Sequence, residues 1–339
     1  MKDGNHGIKF LNETIMKKFL AFIVISVALV SCYPDYITDY TYSGVYFPYQ
    51  TDVRTFVVGE GMKIEVGVTL GGVISNTKDR NVSFAFDGTL VSAATLAIFK
   101  TAANGYIKDP VAPVTSFLQL PSNYYTISNS NTMVIKAGQH MGSVVIKPDS
   151  ATFLGDPATK FATYVLPFRI TKADADTILE PKRYAVIGLR YDNMLFGKYW
   201  HGGVTIVNRP AKSDTTFRYY TVVPMPEPKV WTLTTNSPNS LYAPGFVDQV
   251  TGKNEMLLTL NGNDIAVSSA PGSTYVITQD GTCVFNRPKL LQDRKIYLKY
   301  KYTDPVTNFT YHCTDTLTFR NRLRDGINEW QDENPAHYN

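Results

Sequence analysis

The sequence predicts an all-β protein, a β-sandwich followed by an antiparallel meander that closes as a barrel or forms a second sandwich. Three observations carry this. Apolar and polar residues alternate at period two, as in Ile64, Val66, Val68 and Leu70 against Lys63, Glu65, Gly67 and Thr69, the mark of strands with one buried face. Turn-forming clusters such as Gly71-Gly72 and Ser128-Asn129-Ser130-Asn131 separate these runs, as short strands require. The chain of 339 residues is 44% apolar and holds 22 Tyr and 18 Phe, enough to fill two cores and to exclude global disorder.

The N-terminal segment is an address. Lys17-Lys18 precedes an apolar run from Phe19 to Val30, then Ser31-Cys32. Such a run makes about 18 Å of helix, too short for a bilayer core of about 30 Å. A basic start, a short apolar stretch and a small residue describe a secretory leader. Leu29-Val30-Ser31-Cys32 resembles a bacterial lipobox. The resemblance implies cleavage before Cys32 and acylation of that residue, with Met16-Lys17-Lys18-Phe19 as the true start. Several acyl chains at about 0.8 kcal/mol per buried CH₂ give a lasting anchor. Residues 1–31 are thus the leader and 32–44 a tether, in which Asp35 and Asp39 are a weak signal for export to the outer face. The leader removes four basic and two acidic groups from totals of 33 and 29, leaving a charge of +2. That is too small for electrostatic binding of nucleic acid or another polyanion.

Residues 45–192 form the predicted sandwich. Alternation recurs at Val82-Phe84-Phe86, at Tyr164-Leu166-Phe168-Ile170 and at Ala185-Ile187-Leu189-Tyr191, and it argues antiparallel strands. Leu90, Val91, Ala94, Leu96 and Ala97 crowd into one expected helix at 90–104, an insert crossing the frame. Asp192-Asn193-Met194 ends the series, placing a boundary at 192–196.

Residues 193–330 form the second unit. Its expected strands are 198–208, 214–225, 229–235, 255–260, 264–269, 273–278, 282–286, 294–303 and 308–319. Asn261-Gly262 and Asp280-Gly281 mark hairpin tips, because such pairs tolerate positive φ. A meander this long tends to close, which removes its edges. Gly197-Lys198-Tyr199-Trp200 is similar to the Gly-x-Trp opening of lipocalin-type barrels, with Trp200 as a core residue. Residues 236–245, rich in Pro, Asn and Ser, read as a long loop. Arg322 to Trp330 packs back on the barrel, and 331–339 is a flexible tail.

Framework motifs carry a wider resemblance. They are Val45-Tyr46-Phe47-Pro48, Leu120-Pro121-Ser122-Asn123-Tyr124-Tyr125, Val134-Ile135-Lys136-Ala137-Gly138, Tyr164-Val165-Leu166-Pro167-Phe168-Arg169-Ile170 and Tyr184-Ala185-Val186-Ile187. Together they resemble two-domain Bacteroidota outer-membrane lipoproteins of polysaccharide-utilisation systems. In these an N-terminal immunoglobulin-like domain of unknown function precedes a β-rich C-terminal domain. The resemblance implies a lipid-anchored cell-surface protein that captures polysaccharide or oligosaccharide for an outer-membrane import complex. It carries over no catalytic residue. Some relatives append a glycosidase domain, and the residues after 192 leave no room for one.

The residues themselves point to no chemistry of bond cleavage. Asp174, Asp176 and Glu180 form the nearest acidic string, but they sit between strands beside Pro181 and read as a solvated turn. The histidines His6, His140, His201, His312 and His337 lack metal-ligand spacing, and no cofactor or metal is expected. Cys283 and Cys313 share faces with apolar residues and read as buried thiols. A strand at 294–303 would keep them about 9–10 Å apart, which argues against a disulfide, while an oxidising compartment would favour one, so the sequence leaves their pairing open. That leaves aromatic rings, which stack on pyranose faces when exposed on a rigid β surface and pack in cores otherwise. Candidates are Tyr242, Trp231, Tyr219, Tyr220 and Trp330, with Asn239 and Asn236 beside Tyr242 to bond sugar hydroxyls. The expected function is therefore non-catalytic glycan binding. The alternative is a structural or interaction subunit that binds no sugar. Converging carboxylates would point instead to an enzyme, and an open lined barrel to a small apolar ligand.

Overall fold

The computed structural model describes residues 41–219, 229–244 and 255–331. The leader, Met16, Cys32 and Tyr220 lie outside the described residues. No helix among the described residues is long and apolar enough to cross a membrane.

The first domain holds strands β1 (Gly44–Tyr46), β2 (Thr51–Val57), β3 (Ile64–Gly71), β4 (Arg80–Phe86), β5 (Leu118–Gln119), β6 (Tyr125–Ile127), β7 (Thr132–Ile135), β8 (Met141–Pro148), β9 (Tyr164–Ala173), β10 (Thr177–Ile178) and β11 (Tyr184–Asp192). They form a sandwich. One sheet has the order β10-β1-β3-β8-β6, the other β2-β11-β9-β4-β7 with β5 against β9. The alternating residues Val66, Val68 and Leu70 of β3 face Phe84, Phe168 and Leu189 across the core. Three pairings are parallel, β1 with β10, β2 with β11 and β5 with β9. Alternation fixes which face a residue takes and says nothing of strand direction, so the purely antiparallel expectation is corrected here.

The outer face of the second sheet is covered by the insert between β4 and β5. Residues 90–104, read as one helix, resolve into a 3₁₀ turn (Gly88–Leu90) and a helix (Ala93–Lys100), followed by Gly105–Lys108. Ser92 caps the longer helix, accepting from the Thr95 amide at 3.2 Å, as a good N-cap does. Leu96, Phe99, Ile107 and Val111 press on Val53, Val165 and Val186. Double-sided burial explains the unbroken apolar run Val165-Leu166-Pro167-Phe168, which strands covered on both faces adopt. Gly188 in β11 lies under this layer, where a Cβ would come within 3.2 Å of Ala162 and 3.3 Å of Val53.

The second domain is a closed, eight-stranded antiparallel barrel. Its strands are β12 (Gly197–Asn208), β13 (Thr215–Tyr219), β14 (Lys229–Ser237), β15 (Ser240–Ala243), β16 (Met256–Asn261), β17 (Asp264–Ser269), β18 (Ile277–Gln279), β19 (Val284–Phe285), β20 (Lys295–Thr303), β21 (Thr310–Arg324) and β22 (Ile327–Glu329). Strands β12 and β21 pair from Lys198↔Asn321 to Asn208↔Thr310 and close the ring. Thr278 of β18 and Val284 of β19 both face β17 and β20, so the two strands share one barrel position end to end. Asp280-Gly281 therefore interrupts a strand instead of turning a hairpin. Gly262, at φ 65°, sits in the expected β16–β17 turn.

Two further hairpins were read otherwise in the sequence. Within the stretch 236–245 that was expected as a loop, residues 236–243 form the β14–β15 hairpin with Pro238-Asn239 at its tip. The segment after Phe319 continues β21 and folds back as β22 through Asp325-Gly326, both at positive φ (51° and 81°). In the barrel's first strand Tyr199 is fully buried. Trp200 points outward beneath the Arg320 guanidinium, 4.6 Å from its ring centre, which corrects its assignment to the core.

One end of the barrel is seated on the sandwich. Glu60, in the turn between β2 and β3, receives Arg294 (2.6 Å) and both terminal nitrogens of Arg322 (2.9 and 2.6 Å), with all three side chains buried. Asp192 accepts from Arg190 at 2.6 Å and from the Thr235 hydroxyl at 2.5 Å. Asn193 donates to the Pro238 carbonyl at 2.8 Å. Each of these buried charges faces an opposite charge across a hydrogen bond, the condition under which burial is tolerated.

Candidate binding groove at the free end of the barrel

The opposite end of the barrel carries a groove of about 700 Å³, within the size range of small-ligand sites. Tyr302 and Arg294 stand at opposite ends of β20, so the groove lies about 25 Å along the strands from the domain junction. The groove wraps over the barrel rim. Tyr302 comes from the inner face and is nearly buried, while its neighbours Lys301 and His312 come from the outer face and are partly exposed. Tyr302 stacks on its cross-strand partner Tyr311 at 4.7 Å and 2°, and meets Tyr275 edge-on at 5.6 Å and 85°. Such pairs fix ring orientation. Asn208, Thr278, Thr303 and Thr310 add hydroxyl and amide groups to the walls, and the exposed Val276 forms part of the lip.

Beneath the polar side sits Asp280, in the break between β18 and β19. It takes the His312 Nδ1 at 2.5 Å and the Lys301 ammonium at 3.3 Å. The His312 hydrogen bond and then Lys301 hold its carboxyl below the usual range, against a small burial penalty. The arrangement offers ring edges and faces, hydroxyls and a cation, and among the described residues no carboxylate lines the groove itself. It can bind and orient a hydroxylated ligand.

The residues chosen from sequence do not converge here. Trp231 is fully buried in the barrel core, stacked on His201 at 4.0 Å, so it is no surface platform. His201 itself lies 3.0 Å from Asp315, which also accepts from the Tyr300 hydroxyl at 2.7 Å. Tyr242 is half-buried in the β14–β15 hairpin beneath Lys160 of the sandwich, 5.9 Å from its ring centre. Asn239 is exposed at the hairpin tip, but its side chain accepts from the Ser237 hydroxyl at 2.7 Å. Asn236 donates to Ser240 at 2.9 Å. Tyr219 ends β13, and its side chain lies outside the described residues, as does all of Tyr220. Trp330 is exposed on the far end of the chain from the groove.

Asp174 and Asp176 are exposed turn residues that bond Asn81 and Ser43. Cys283 and Cys313 are both free and buried, with β20 between them. The groove residues that sequence reasoning missed did leave a trace. Tyr302 ends a strand just before Asp304-Pro305, and a tyrosine at a strand end beside a turn lies at a rim. Tyr275 had been placed inside a strand at 273–278, whereas the strand begins at Ile277.

Comparison with known proteins places the fold. Residues 39–177 match a family model described only as a "-like, N-terminal domain". No curated protein matches. A crystal structure of a protein of unknown function from Bacteroides ovatus shares the fold, with a TM-score of 0.63 and 20% identity over 86% of this chain and 98% of that one. A second such protein from Bacteroides ovatus aligns at a TM-score of 0.41 and 15% identity, over 86% of this chain and 100% of that one.

Proposed function

We propose that this protein is a lipid-anchored, non-catalytic cell-surface protein of a Bacteroidota-type polysaccharide-utilisation system that binds polysaccharide or oligosaccharide at the barrel-rim groove. The observation that carries the reading is the groove itself, where Tyr275 and Tyr302 stand beside Lys301, His312 and a set of threonines. Pyranose rings present an apolar C–H face to aromatic side chains while their hydroxyls bond the polar ones. The lipobox-like Leu29-Val30-Ser31-Cys32 supports the anchor, and acylation of Cys32 would tether the chain through the residues that precede Ser43 and β1, where the sandwich already begins. The sandwich then spaces the groove away from the bilayer. Held beside an importer, such a module gains effective concentration and needs only modest affinity.

A glycan array on residues 33–339 tests the reading, followed by affinity electrophoresis. Retention is expected for the intact protein and lost in Tyr275→Ala with its circular dichroism unchanged. Tyr242→Ala serves as a control that keeps retention. An array without hits would instead favour the subunit that binds no sugar. Mass spectrometry of the native product, expected to find a diacylglyceryl group on Cys32, tests the anchor.

A further inference from the structure

Net charge sums a molecule, whereas recognition depends on where the charge is placed. The outer face of the barrel beside its closing seam gathers basic groups. Along β20 the outward side chains are Lys295, Tyr297 and Lys299, all exposed, with Lys301 following at the groove. Alternate residues of a strand stand about 7 Å apart, so a phenol ring lies between two ammonium groups on one face. The cross-strand partners on β21 are Thr318, Thr316 and Thr314. Those threonines in turn pair with Trp200, Gly202 and Val204 of β12. Arg320 lies over the Trp200 ring, and Lys198 is exposed two residues away on the same strand.

The nearby carboxylates stand at the two ends of this face or turn away from it. Asp280 is engaged by His312 and Lys301 at the rim, and Asp293 lies in the 3₁₀ turn before β20. Asp315 of β21 points inward to His201 and Tyr300. Among the described residues Lys198, Lys295 and Lys299 have no carboxylate within ion-pair distance. Cations without an internal counter-charge, a column of hydroxyls and an exposed ring together describe a partner. A neutral glycan would use the ring and the hydroxyls and leave the ammonium groups idle. An anionic lipid surface would meet the cations, but sinking the threonine column into it would cost the hydroxyls their hydrogen bonds.

We infer that this face is a second binding surface, for a linear polysaccharide bearing carboxylate groups. Lys295 and Lys299 pair with carboxylates, Tyr297 stacks a sugar ring between them, and Thr314 and Thr316 bond hydroxyls. Each contact is modest because its groups are exposed, and a repeating ligand sums them along one strand. The surface lies beside the barrel-rim groove and does not depend on it.

Isothermal titration calorimetry of residues 33–339 with polygalacturonate, alginate and hyaluronate tests the inference. Neutral galactan, dextran sulfate and anionic phospholipid vesicles are the comparators. At least one carboxylated polysaccharide is expected to bind saturably, and less tightly as salt rises. Lys295→Ala combined with Lys299→Ala, and separately Tyr297→Ala, should each weaken that binding about fivefold or more. Tyr275→Ala, in the groove, should leave it intact. The three substituted positions on β20 are exposed, so folded variants are expected, checked by circular dichroism. No saturable binding by any of the three polysaccharides overturns the inference. So does binding that the β20 variants leave unchanged or that Tyr275→Ala abolishes. Equal affinity for galactan, dextran sulfate or the vesicles overturns it as well.

Discussion

Glu60 and Arg322, 262 residues apart in the chain, meet in a two-pronged buried ion pair that joins the sandwich to the barrel. Burial alone would raise the Glu60 carboxyl, but Arg322 and then Arg294 outweigh it and hold the carboxyl below its usual range. A depressed carboxylate contributes stability above its unfolded pKa and loses it as pH falls through the folded one. Glu60→Ala leaves two arginines buried without their acceptor, and is expected to cost about 3–5 kcal/mol. Urea unfolding at neutral pH measures the loss. The gap between wild type and variant should shrink in acid; a gap independent of pH would contradict the ion pair.

Asp325 has the opposite sign. Its carboxyl is pushed up to about 6 by burial, with Thr55, Arg54 and Arg324 offsetting only part of that. The native state therefore holds a proton that the unfolded chain has released, and stability falls as pH rises from about 4 to about 6. Asp325→Asn should raise stability at pH 7 by about 1–3 kcal/mol and change little near pH 4. Thermal melts at the two pH values read this directly, and equal shifts at both would refute it.

Trp231 is a core residue of the barrel. Trp231→Ala should cost about 3–5 kcal/mol and abolish the stack on His201. Any surviving folded fraction should still be retained by glycan. Denaturant titration and affinity electrophoresis on the same sample separate the two effects, and retention lost in folded protein would return Trp231 to the ligand site.

The two thiols of the barrel are inert by position. Burial pushes Cys313 up to about 12, with nearby Asp315 adding to it, and burial raises Cys283 as well. A thiol held that high carries almost no thiolate at neutral pH. Titration of residues 33–339 with an aromatic disulfide reagent should find no fast-reacting thiol in native protein and two after unfolding. Rapid native labelling would place one of them at the surface.

Much of the architecture could be read from pattern alone. Alternation at Ile64–Leu70 and Ala185–Tyr191 marks strands because a half-buried sheet imposes period two, and Asn261-Gly262 marks a turn because of its φ. Strand direction escaped, since Val53 alternates identically whether β2 runs along or against β11. The hairpin at Pro238-Asn239 was hidden because Ser240–Ala243 is only four residues long between loop formers. The hairpin at Asp325-Gly326 carried the standard turn signal, which was read as a tail. The ligand candidates failed for a related reason. Composition says that a ring exists, and only tertiary packing says whether Trp231 faces a core or Tyr275 faces a rim. The domain junction depends on residues from the β2–β3 turn, β11, β14 and β21, whose meeting no local pattern encodes.

The strand that closes the barrel, β21, follows every other ring strand in the chain, and its partner β12 is the first of them. Loop closure over such a span is slow. Without residues 310–324 the barrel has two raw edges, Glu60 has no Arg322, and the rim groove lacks Thr310 and His312. The ring thus closes only when both ends of the second domain are present together.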